Sequence, residues 1–203
     1  MRNHSRGKGN HQKTKPSFSN SSTKSEGDGQ EGLLSKYIKD ERMITILNKK
    51  GISKLFPIQY STFNYIYEGK DLVAKDRTGS GKTMAFSLPV ICQMREKGLF
   101  KKPHKTKFLI VLPTRELAIQ VRDEISSLRL QDEDDFTVGA VYGGSSVKDQ
   151  AMNVEKGLDI IVGTPGRLID FLNRGIIKLD KLEVTCLDEA DEMLKQGFKE
   201  DIE

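Results

Sequence analysis

The octapeptide Asp76-Arg77-Thr78-Gly79-Ser80-Gly81-Lys82-Thr83 decides how the rest of this chain is read. It follows a short apolar run, Leu72-Val73-Ala74, and opens a segment, 82–97, whose apolar residues recur at helical spacing. A glycine-rich turn between a strand and a helix presents successive backbone N–H groups at a helix N-terminus, a concavity suited to phosphate oxygens. In that pattern Lys82 reaches the outer phosphates and the Thr83 hydroxyl ligates Mg²⁺. Asp76 departs from it, since a small residue is usual there. A carboxylate aimed at phosphates would be repelled, so Asp76 is expected to point away.

Outward from this loop the chain alternates. Strands are expected at 71–75, 107–112, 136–141, 158–163 and 183–187, and helices at 39–50, 57–68, 82–97, 115–129, 146–155 and 166–173. Pro57 suits a first helical turn and Gly51 a helix stop. Near-continuous Val/Ile/Leu strands separated by helix-length segments imply an α/β fold with a parallel sheet covered on both faces. The acidic cluster 132–135 falls between a helix and a strand and reads as a solvated loop.

At the far end of this alternation stands Asp188-Glu189-Ala190-Asp191, directly after the apolar run Val184–Leu187. Carboxylates at the C-terminal end of a strand lie where an open parallel sheet places its ligand crevice. There Asp188 would hold the Mg²⁺ shell, and Glu189 would orient and deprotonate an attacking water.

The first thirty residues differ in kind. They carry Arg2, Arg6, Lys8, Lys13, Lys15 and Lys24 against Glu26 and Asp28, with Met1 and Phe18 as their large apolar residues. So little apolar surface cannot offset the entropy of ordering, and residues 1–34 read as a disordered basic tail preceding a folded unit at 35–203. The whole chain holds 33 Lys and Arg and 29 Asp and Glu, a formal charge of +4. The first thirty residues account for that entire excess, so any nucleic-acid surface on the folded part must be a local patch. No apolar run reaches transmembrane length and the N-terminus has no signal-peptide pattern. Cys92 and Cys186 sit in apolar stretches and read as buried, reduced thiols of an intracellular protein. His4, His11 and His104 lack metal-ligand spacing.

With these residues in place, the sequence resembles the first RecA-like domain of the DEAD-box RNA helicases. The loop at 76–83 and the tetrapeptide at 188–191 match the family's ATP and Mg²⁺ motifs. Gly51–Gln59, G-I-S-K-L-F-P-I-Q, resembles its adenine-reading motif, in which the amide of Gln59 suits the edge of the base. Tyr37 stands where the family places a stacking aromatic upstream. Pro113-Thr114-Arg115, Gly143-Gly144 and Thr164-Pro165-Gly166-Arg167 resemble its contacts to the RNA backbone. Hydroxyls, backbone amides and Arg at strand-to-helix turns are suitable phosphate partners that read position rather than sequence. Taken alone, these segments also read as helix caps and tight turns. The L-F-P-I-Q variant resembles most the nucleolar Gu-type helicases, which implies a nuclear or nucleolar address and ribonucleoprotein partners.

The resemblance also implies parts that this sequence does not contain. The family continues with S-A-T and a second RecA-like domain whose arginines complete the ATP site, and no S-A-T is present. The first domain is accordingly expected to be cut short at its C-terminus, leaving an exposed strand edge. Three functions compete: an ATP-dependent RNA helicase half, a DNA-directed ATPase of the same superfamily, and a non-catalytic ATP- or RNA-binding module. The tail could be a non-specific RNA-binding arm, part of a nuclear address, or only a solubilising terminus.

Overall fold

A computed structural model describes residues 30–130 and 135–202, leaving most of the basic tail and the acidic residues 132–134 outside the described residues. Its elements are α1 (Leu34–Tyr37), α2 (Glu41–Lys49), α3 (Pro57–Tyr67), α4 (Lys82–Glu96), β1 (Phe108–Val111), α5 (Arg115–Ser126), β2 (Val138–Val141), α6 (Val147–Glu155), β3 (Ile160–Gly163), α7 (Pro165–Asn173), β4 (Val184–Leu187), α8 (Ala190–Lys195) and α9 (Lys199–Ile202). The six helices expected from the sequence are all present, each within a few residues. Pro57 opens α3 at its first position, and Gly51 ends α2 in a left-handed turn at φ 77°.

The four strands form one parallel sheet in the order β2-β3-β1-β4. Side chains alternate across it as strand geometry requires. Phe108, Ile110 and Leu112 join Ile160 and Val162 in one buried cluster with α3, α4 and α5, while Leu109, Val111 and Ile161 join Leu168 and Phe171 of α7 in a second. Both faces of the central strands β1 and β3 are therefore covered, which is why those two are continuously apolar.

Three expectations change. Residues 71–75 form no strand: all five are exposed, Val73 by 99%, and they join no ladder. A strand exists only with a neighbour to take its backbone hydrogen bonds, and residues 71–75 pair with none of the four strands. Asp135 is not solvated but 5% exposed, locked by Arg95 at 2.7 Å, and its carboxylate also accepts from the Leu130 backbone N–H. The packed chain also begins earlier than residue 35: Leu33 bridges to Lys54, and Leu34 is buried. Cys92 and Cys186 are free thiols, half-buried against the first cluster, and burial pushes each up to about 12. No described helix is long and apolar enough to cross a membrane.

At the N-terminal edge of the sheet, Asp159 is wholly buried and saturated. One carboxylate oxygen lies 2.6 Å from His104 Nδ1 and accepts from the Thr137 backbone N–H (2.9 Å) and hydroxyl (3.0 Å); the other accepts from Lys107 Nζ at 3.2 Å. This cluster ties the leads into β1, β2 and β3 together. Asp159→Ala would leave the half-buried Lys107 without its carboxylate and the Thr137 N–H without its acceptor, so a loss of about 3 kcal/mol is expected in urea unfolding.

Candidate active site and nucleic-acid groove

In the sheet's register Val111, Val141, Gly163 and Leu187 end level with one another. The segments that follow them, Pro113–Arg115, Gly143–Gly144, Thr164–Arg167 and Asp188–Glu189, therefore issue side by side from one edge. Parallel strands place all their C-terminal turns at the same end, where such sheets bind ligands.

The glycine-rich loop meets this edge through α4 and α3. Gly79 and Gly81 adopt φ of 79° and 84°, a left-handed conformation that glycine tolerates without cost. Gln59, 5% exposed, braces the turn: its Nε2 donates to the Gly81 carbonyl at 3.1 Å, and its Oε1 accepts from the Phe56 N–H at 2.8 Å. One amide N–H and one lone pair remain for a further partner. Lys82 folds back on the loop, its Nζ donating to the carbonyls of Asp76 and Arg77 at 3.1 Å each. The Asp76 carboxylate accepts from the Arg77 backbone N–H at 2.8 Å. Ser80 Oγ is buried without a hydrogen-bond partner, and open space surrounds Gly79 on the side where a Cβ would stand. An unsatisfied hydroxyl and a cleared concavity fit a polyanion in this loop.

Three carboxylates approach from the other elements. Burial raises the Asp188 carboxyl above its ordinary value, against the Glu189 backbone N–H that donates to it at 3.0 Å and the nearby Lys82 charge. Burial likewise raises Glu124, opposed by a hydrogen bond from the Thr83 hydroxyl and by Lys50, and reinforced by Asp188. Lys82, Thr83, Glu124 and Asp188 thus share one electrostatic neighbourhood. Glu189 sits at the N-cap of α8 with φ 54° and ψ 42°. It is the one non-glycine residue with positive φ among those described, a strain of about 1–3 kcal/mol. Among the described residues no cluster of three or more His, Cys, Asp or Glu could hold a metal. Two oxygen donors, Thr83 and Asp188, still suit Mg²⁺, which keeps several of its waters.

Tyr37 stands against the helix that carries Gln59: its ring packs on Tyr60 (6.4 Å between centroids) and Phe63 (5.6 Å) and stays half-buried. Of two further neighbours of the site, sequence reading quoted Phe56 only as part of its motif and passed over Glu124. Phe56, 56% exposed, lies against Gly81. Glu124 follows Val121 by three on the inward face of α5, a spacing that marked it only as near the core.

Beside the acidic pair runs a groove of about 430 Å³ lined by Pro113, Arg115, Gly143, Thr164, Gly166, Arg167 and Phe198. Arg115 is steadied by the Gly144 carbonyl (3.4 Å) and the Tyr142 ring, and Arg167 by the Ser145 carbonyl (3.4 Å) and the Phe171 ring. Thr114 caps α5 by accepting from the Leu117 N–H, whereas Thr164 stands at the N-cap of α7 without a cap bond from its hydroxyl. Thr114, Gly144 and Pro165 flank the groove without lining it.

A family model described as DEAD/DEAH box helicase matches residues 56–203. The ATP-dependent RNA helicase DDX50 of Mus musculus is 42% identical over 175 residues, covering 86% of this chain and 23% of that protein. The ATP-dependent RNA helicase CshA of Listeria monocytogenes is 44% identical over 164 residues, 81% of this chain and 30% of that protein. Nucleolar RNA helicase 2 of Rattus norvegicus is 40% identical over 176 residues, 86% of this chain and 22% of that protein. The crystal structure of a DEAD box protein from Methanococcus jannaschii superposes with a TM-score of 0.71 at 36% identity, covering 80% of this chain and 43% of that one. The chain spans about a quarter of the length of these curated relatives.

The brace between α3 and the loop is sterically exacting, since a Cβ on Gly81 would overlap Nε2 of Gln59. Gly81→Ala also forces alanine into the left-handed region, so urea unfolding should register a loss on the order of 1–3 kcal/mol.

Proposed function

Because the chain belongs to the DEAD/DEAH box helicase family, we propose that it is the ATP-binding half of an RNA helicase core. It would bind ATP with Mg²⁺ and grip an RNA backbone, coupling hydrolysis to duplex remodelling when completed by a second RecA-like domain. One observation carries this reading: a single sheet edge holds both the carboxylate pair and the arginine-lined groove, a register apart.

In this proposal the backbone of Arg77–Gly81 cradles the phosphates, and Lys82 leaves its two carbonyls for phosphate oxygens, exchanging neutral acceptors for charged ones. Gln59 offers its remaining amide positions to the adenine edge. Thr83 and Asp188 would hold Mg²⁺, whose charge offsets that of the phosphates. Glu189 would orient the attacking water and take its proton. The family supplies stabilising arginines from a second domain, and such a residue is worth roughly 10³–10⁵ in rate in related phosphoryl transfers.

RNA is favoured over DNA because the relatives above are named RNA helicases. A nucleolar address is supported by the likeness to nucleolar RNA helicase 2. Arg115 and Arg167, held at the groove, would contact phosphates rather than bases, giving sequence-independent binding.

Fluorescent-ATP titration of the chain should show Lys82→Ala weakening binding by at least about ten-fold, the loss of one hydrogen bond to a charged group. Glu189→Gln should leave that affinity unchanged. Turnover by these 203 residues alone should stay well below about 1 s⁻¹, the low end of ordinary enzyme rates, with or without RNA. Parental ATP affinity in Lys82→Ala would refute the assignment, and brisk RNA-stimulated turnover would refute the need for a second domain.

A further inference from the structure

Phe198 is the one residue lining the arginine groove that lies outside the motifs read from the sequence. Its place there is fixed by how α8 ends. Gly197 adopts φ 87°, its N–H donates to the Leu194 carbonyl at 3.2 Å, and the Phe198 N–H donates to the Met193 carbonyl at 3.1 Å. That pair of bonds is a Schellman turn, in which the residue after the glycine folds back on the helix it terminates. Phe198 accordingly packs against the second core cluster, which includes Met193, and stays half-buried with part of its ring in the groove. The ring is therefore anchored by backbone bonds and core packing.

An aromatic surface fixed among arginines and a free hydroxyl has a specific use on a nucleic-acid strand. Phosphates alternate with apolar-faced nucleoside units, and aromatic side chains take the latter without regard to sequence. We propose that Phe198 packs against the nucleoside unit joining two phosphates held by Arg115 and Arg167, and so sets the position of a single strand in the groove. This rests on reading the groove as a backbone-binding site. It also gives α8 a second function: the helix begins at Glu189, so one short rigid element carries the acidic motif at its start and the groove's aromatic wall at its end.

The test is a titration of the 203-residue chain with a fluorescein-labelled single-stranded uridine decamer, read by anisotropy. Phe198→Leu should weaken binding about five-fold or more, the lower bound for losing one aromatic stack. Because no counterion-releasing contact is lost, the slope of log affinity against log salt should not change, whereas Arg167→Ala should reduce it by about one. The chain has no tryptophan, so Phe198→Trp adds a single reporter. Its emission should be quenched by the RNA with the midpoint seen in anisotropy. Parental affinity in Phe198→Leu, or tryptophan emission unmoved while anisotropy shows binding, overturns the proposal. If Arg115→Ala and Arg167→Ala also bind like the parent, or the parent binds no RNA, the groove reading itself is what fails. Should Phe198→Leu lose its fold, seen as a collapsed urea midpoint, the tryptophan variant decides alone.

Discussion

The register of a four-stranded parallel sheet is the constraint on which everything else here depends. Val111 is level with Gly163 on one side and Leu187 on the other, and Gly163 with Val141. Every strand therefore releases its chain at the same height, and the turns at Pro113–Arg115, Gly143–Gly144, Thr164–Arg167 and Asp188–Glu189 emerge there. A slip of one residue in any strand would exchange its two faces between the two core clusters. The site is thus held by the whole hydrophobic core, through Phe108, Ile110, Val162 and their neighbours, more than by contacts within itself. The saturated carboxylate of Asp159 fixes the opposite end, so the sheet is pinned at both edges by different means: packing at one, a buried ionic cluster at the other.

What the sequence disclosed follows from which interactions are local. The strands at 108–111, 138–141, 160–163 and 184–187 and the helices between them were legible because branched apolar runs and helical spacing are written within a few residues. The phosphate loop and the acidic tetrapeptide were legible for the same reason. Residues 71–75 had the composition of a strand, yet pairing is non-local, and Val73 is left bare. Asp135 looked like part of a solvated acidic run because Arg95, its partner, stands forty residues away. Glu124 and Phe198 acquire their positions only when α5 and the end of α8 are brought to the sheet edge, and no local pattern announces that. Gln59 is intermediate: its kinship to a known motif was readable, but its bond to Gly81 was not.

The conformation of the phosphate loop can be understood from the same geometry. With no strand leading into it, the loop is held from one side, by α4 and the Gln59 brace. Its own lysine fills the concavity's rim, donating to two carbonyls of the loop. This is a self-satisfied arrangement, since an ammonium so placed hydrogen-bonds only neutral carbonyls, with the Asp188 charge nearby. Polyphosphate would offer Lys82 stronger, charge-assisted bonds and give the buried Ser80 hydroxyl the partner it lacks. The driving force for rearranging the loop therefore resides in groups already present, an over-weakly bonded cation and an unbonded hydroxyl. The strain held at Glu189, two residues before Asp191 on the neighbouring turn, belongs to the same account. Backbone strain survives where surroundings over-determine it, and here β4 and α8 together fix the turn that also carries Asp188, whose carboxyl feels the Lys82 charge.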